Sequence, residues 1–161
     1  VPLDRSVLLA VAVVLAGTLA TAPALGLFAV PSGEAATYGE GSLTATDAAL
    51  PDSGFTLDRG DYDARAYHLT VPAASATVTE VTGHPRVVYK LRIPGLGWTS
   101  ASTTFLASAD AGARSFTFRG ATFAPDRVTR DSYDAEAVLL VRAGGEKHVL
   151  ARANVTVEVN S

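Results

Sequence analysis

Over much of this chain apolar and polar residues alternate one by one, the period of a β-strand with one face buried. Val87, Tyr89, Leu91 and Ile93 share one face against Val88, Lys90 and Arg92, and Pro94-Gly95 ends the run. Tyr67, Leu69 and Val71 form a similar strand closed by Pro72, while Phe116 and Phe118 share a face in a short strand broken at Gly120. Ser42 to Ala48, Ala76 to Val81 and Thr103 to Ala107 predict further strands. Ala135, Ala137, Leu139 and Val141 alternate against Glu136 and Arg142, and Gly144-Gly145 turns the chain into a hairpin. The longest pattern follows: from His148 to Asn160, Val149, Ala151, Ala153, Val155, Val157 and Val159 fall on one side and polar residues on most of the other. At about 3.3 Å per residue such a strand would reach roughly 40 Å, long for a domain strand unless it bends or bulges.

One segment breaks the period. Val7 to Val30 runs 24 residues without a charged side chain, enough as a helix to cover roughly 36 Å against a hydrocarbon core of about 30 Å. Ala22-Pro23-Ala24 resembles a signal-cleavage site, so export with removal is one reading. The chain starts at Val1 and contains no methionine, which favours a processed start and a retained segment. Within it Ala12, Ala16, Ala20 and Ala24 recur every fourth residue, with Gly17 beside them, and Val14, Leu15, Leu19 and Leu25 take the opposite face. A stripe of small side chains lets helix backbones approach closely, the means by which apolar helices associate without a hydrophobic drive. The pattern therefore predicts an N-terminal hydrophobic α-helix over residues 1–30, a polar, glycine-containing linker over 31–41, and an all-β domain over 42–161. An immunoglobulin-like antiparallel β-sandwich fits the number and spacing of the strands. The cysteine and tryptophan marks of antibody domains are missing, and Trp98, after Gly-Leu-Gly, reads as a core or rim aromatic.

Composition narrows the function classes. The net charge is −3, and no basic run or basic-aromatic cluster suggests nucleic acid. Zero cysteines exclude disulfides, thiolate metal sites and cysteine nucleophiles together. Eleven arginines against two lysines, with abundant alanine and valine, suggest a GC-rich prokaryotic source.

Candidate chemistry is sparse. His68, His84 and His148 stand in three separate segments without metal-ligand spacing, and no hydrolase, zinc-protease or phosphate-loop motif occurs. Asp58, Asp61 and Asp63 cluster around Arg59 and Arg65 and read as a solvated turn more than as a calcium loop. The expectation is no enzyme, no cofactor and no metal. Asn154-Val155-Thr156 is an N-glycosylation acceptor, and alternation places Asn154 and Thr156 on the polar face of the last strand.

A processed start, an Ala/Val-rich apolar helix and a single disulfide-free β-domain resemble, in layout, the archaeal type IV filament subunits, the pilins and archaellins. That resemblance implies a cell-surface filament in which residues 7–30 of many copies bundle and the β-domain faces outward. Arg5 stands where bacterial pilins often carry an acidic residue, and Pro2 is unusual for them. The implied partners are copies of the chain itself, and the membrane before or instead of assembly. Two other readings use the same parts. One is a single-pass, membrane-anchored extracellular binding or adhesion module. The other is a strand-exchange fibre subunit whose first segment is a cleaved signal and whose Ala35 to Leu50 completes a neighbour's sheet.

Overall fold

The computed structural model describes residues 38–61 and 65–161. The expected helix, with Ala12, Ala16, Gly17, Ala20 and Ala24, lies outside the described residues. So does most of the linker. No helix among the described residues is long and apolar enough to cross a membrane.

The strands in chain order are β1 (Gly41–Ala49), β2 (Thr56–Arg59), β3 (Tyr67–Thr70), β4 (Ala74–Gly83), β5 (Arg86–Ile93), β6 (Trp98–Phe105), β7 (Gly112–Phe116), β8 (Thr122–Phe123), β9 (Ser132–Ala143) and β10 (Glu146–Asn160). They form two sheets: a three-stranded one ordered β1-β4-β7, and a seven-stranded one ordered β6-β5-β9-β10-β2-β3-β8. Neighbours run antiparallel except β2 and β10, which are parallel over Thr56/Glu158, Leu57/Val159 and Asp58/Asn160. The all-β, sandwich-like character read from the alternation is what the chain adopts.

The buried face of each strand is the apolar face of its pattern. Val87, Tyr89, Leu91 and Ile93 of β5 and Ala137, Leu139 and Val141 of β9 enter one core with Ala74, Ala76, Val78 and Phe116 of the smaller sheet. Among the described residues no polar or charged side chain is buried in that core. Tyr89 is 1% exposed, and its hydroxyl donates to the Pro72 carbonyl at 3.1 Å. Burial pushes the phenol from 10.0 up to about 12. A folded pKa above the unfolded one gives stability that is present below pH 10 and lost as the pH rises toward 12. Urea unfolding between these pH values should therefore show alkaline destabilisation, and Tyr89→Phe should flatten that part of the profile.

A second tyrosine fixes the entry to β9. Tyr133, 2% exposed, accepts the backbone N–H of Thr129 at 2.8 Å and of Arg130 at 3.2 Å. Its ring lies so close to Gly95 that a Cβ there would come within 2.8 Å of Tyr133 Cδ1. Tyr133→Phe keeps the ring and removes the acceptor, so calorimetry should show a loss of about 1–2 kcal/mol.

Some strands differ from their sequence patterns. β2 contains Asp58 and Arg59, so the expected turn begins later, at Gly60. β6 starts at Trp98, earlier than expected, because its Ser, Thr and Ala residues give little apolar–polar contrast although half-buried and exposed positions alternate from Trp98 to Thr103 of this edge strand. Trp98 is half-buried and edge-on to Phe118 and Phe123, as expected for a rim aromatic. Most of the stretch expected as a donor strand, Gly41–Ala49, pairs with β4 of its own chain. In β10 the alternation breaks: Val149 pairs with Leu140 and Ala151 with Leu139, leaving Leu150 as the extra residue of a bulge.

Candidate functional site

The outward face of β6, β5, β9 and β10 is the most distinctive surface of the molecule. Because partners across an antiparallel ladder point the same way, register alone assembles it into rows. The first row is Phe105, Arg86, Arg142 and Lys147, and the second is Thr103, Val88, Leu140 and Val149. The third is Ala101, Lys90, Val138 and Arg152, and the fourth Thr99, Arg92, Glu136 and Asn154. Cations and apolar side chains thus interleave on one sheet face.

The bulge at Leu150 builds this surface. Unbroken alternation would send Val149 inward beside Ala151, whereas the extra residue turns it outward, opposite Leu140. Val138 and Leu140 are only 6% and 3% exposed although they do not belong to the core between the sheets. Val149 is 46% exposed and Phe105 48%. Tyr38, 68% exposed, meets Phe105 edge-on at 5.3 Å and His84 at 5.6 Å. The large exposed apolar side chains of the described residues therefore gather around one end of this face.

Its electrostatics are unbalanced. Arg86, Arg142 and Lys147 stand opposite one another in a single row, where like charges destabilise a sheet. The ion pair on the face is Arg152 Nε to Glu136 Oε1, at 3.3 Å, two rows away. Arg86 Nε is buried and has no hydrogen-bond partner among the described residues. Aromatics, arginines and desolvated aliphatics are the composition of protein interface centres.

The residues singled out by sequence fall as follows. Asn154 and Thr156 are exposed on this same face and open onto a shallow groove of about 420 Å³ lined also by Pro94, Asp134 and Glu136. Asp58 accepts a hydrogen bond from Thr56 Oγ1 at 2.6 Å and from Asn160 Nδ2 at 2.7 Å. The Asn160 amide, then the Thr56 hydroxyl, hold its carboxyl below the usual range. Asp61 is exposed, and Asp63 lies outside the described residues. Among the described residues no three potential ligands are grouped to hold a metal ion. The histidines stay apart: His68 Nδ1 is 3.3 Å from Thr122 Oγ1, His148 Nε2 is 3.3 Å from Glu146 Oε2, and His84 lies against Tyr38. Sequence pattern identified the outward side of β5, but the meeting of Arg86, Arg142 and Lys147 depends on strand order and register. No protein-family model, curated protein or solved structure matches this chain.

Proposed function

We propose that this chain is a non-enzymatic structural subunit of a prokaryotic cell-surface filament or similar assembly. It polymerises through its N-terminal hydrophobic segment and displays the β-domain outward. The observation that carries this reading is the segment itself: Val7 to Val30 is uncharged and keeps small residues at Ala12, Ala16, Ala20 and Ala24, and a disulfide-free β-domain follows it. Small residues at every fourth position suit close helix packing, and a chain without cysteine relies on its core alone.

The finer fold reading is an immunoglobulin-like sandwich. Strand order supports it: β1-β4-β7 corresponds to strands A, B and E, and β6-β5-β9-β10 to C′, C, F and G. Tyr133 supports it too, since a tyrosine near the start of strand F that binds the backbone just upstream is a hallmark of that fold. β2, β3 and β8 extend the larger sheet beyond strand G.

A solitary membrane-anchored binding module is the second reading, favoured by the open cationic and apolar sheet face. Electron microscopy of material sheared from cells separates the two. Filaments that react with antibody to the β-domain, and whose subunits still contain the Val7 to Val30 segment, are the expected result. Detergent-soluble monomers with no filaments would overturn the filament reading.

A further inference from the structure

We propose that the cationic face of β6-β5-β9-β10 docks the acidic far end of a second copy, joining β-domains head to tail. This contact deepens the assembly reading and rests on it. Strand direction places the two surfaces at opposite ends. Arg86 begins β5, Arg142 nearly ends β9 and Lys147 nearly begins β10, so the first row lies at one end of the sheet. β10 runs from there to Asn160, whose amide holds Asp58. β1 runs the same way: Gly41 pairs with Gly83, close to His84 and Arg86, and Asp47 and Asp52 lie toward or beyond its other end. Asp131, whose carbonyl accepts the Val159 N–H at 3.0 Å, and Asp134 join them there. Arg59, Arg65 and Arg130 sit among these carboxylates without outnumbering them.

Charge selects the occupant. Face-to-face pairing of two copies would set a face carrying Arg86, Lys90, Arg92, Arg142, Lys147 and Arg152 against itself, which like-charge repulsion disfavours. The far end of a second copy offers carboxylates to that row, and a head-to-tail contact whose rotation does not close repeats indefinitely, as a filament requires. An anionic membrane would also attract the row. However, the whole chain is net negative, and the exposed apolar side chains Phe105 and Val149 fit protein side chains better than headgroups. Four strands at about 4.8 Å and four rows at about 6.7 Å cover only about 500 Å² per copy. A stable protein pair buries about 800 Å² per partner, so this contact alone is weak and acts when assembly supplies a high effective concentration.

Lysine distribution supplies a direct test with the chain as it exists. The two lysines, Lys90 and Lys147, both belong to this face. A carbodiimide joins a lysine amine to a carboxylate in contact with it, so lysine cross-links report this surface. An equal mixture of unlabelled and heavy-isotope-labelled full chain, in sheared filaments and in concentrated detergent solution, should give mixed-isotope peptides. These should join Lys147 or Lys90 to Asp47, Asp52, Asp58 or Asp61. The Arg86→Glu, Arg142→Glu double variant should reduce their yield about tenfold, and high salt should do the same. Mixed-isotope links from these lysines only to Glu136 or Glu146, or none at all, would overturn the contact. So would full-chain binding to phosphatidylglycerol vesicles that occupies the face and abolishes the links. Filaments present without the links remove this contact and leave the filament reading standing. Links in detergent with no filaments in sheared material support the contact and remove the filament reading.

Discussion

Replacing Ala16 with leucine is expected to abolish assembly while leaving the β-domain folded. In the proposed helix Ala12, Ala16, Ala20 and Ala24 form one stripe, and Ala16 is an interior member of it. Close approach of backbones depends on the smallness of such residues, and a leucine there holds the helices apart by the bulk of an isobutyl group. Overpacking costs about 1–3 kcal/mol at each misfit contact, and a subunit in a bundle meets several neighbours, so the losses accumulate. Leucine favours membrane insertion more than alanine, so export and anchoring should continue. The matched control is Leu15→Ile on the opposite face, which conserves volume. Electron microscopy of sheared material should show filaments for Leu15→Ile and none for Ala16→Leu. Filaments of ordinary length and abundance from Ala16→Leu would refute the role of the stripe.

The second large effect separates two adjacent leucines. Leu139 and Leu140 are 0% and 3% exposed, yet they point to opposite faces of β9. Leu139 lies in the core between the sheets, so Leu139→Ala opens a cavity there and should cost about 2–5 kcal/mol. Against a total stability on the order of 5–15 kcal/mol this is a large fraction, and the melting temperature should fall by roughly 10 °C or more. Leu140 is nearly as hidden from solvent but lies outside that core, in the row with the half-buried Val88 and the 46% exposed Val149, whose looser packing can relax around the loss. Leu140→Ala should cost about 1 kcal/mol and keep the same unfolding cooperativity. Equal losses for the two variants in paired denaturant titrations would mean that the outer face is as well packed as the core.

The strands that sequence predicted well are those with one covered face. Val87 to Ile93 and Ala135 to Val141 alternate because their inner side chains meet the other sheet and their outer ones do not. β2 escaped notice because four residues holding one fully buried apolar side chain, Leu57, give no period to read. β6 was misplaced because neither side of its Ser/Thr-rich edge is fully covered. The last strand misled in an instructive way: Val149 fits the alternation as well as Ala151 does, and only pairing with β9 reveals that Leu150 is the extra residue. The candidate surface was legible only in pieces. Arg86 and Arg142 are 56 positions apart in sequence, and nothing local to either indicates that they face each other. Asn154 was placed correctly on the outward side because the alternation below the bulge is intact.

The parallel pairing of β2 with β10 also determines how the domain would bear tension. Gly41 opens β1 at the end where β10 begins, and Asn160 closes β10 at the other end. A pull between these two points runs along the strands, so the β1–β4 ladder and the Thr56/Glu158 to Asp58/Asn160 ladder are both loaded in shear. Bonds loaded in shear resist together, whereas bonds at the end of a hairpin pulled apart break one at a time. A domain pulled in this way would meet these two hydrogen-bond arrays first, and rupture would be governed by the rate of unfolding rather than by its equilibrium.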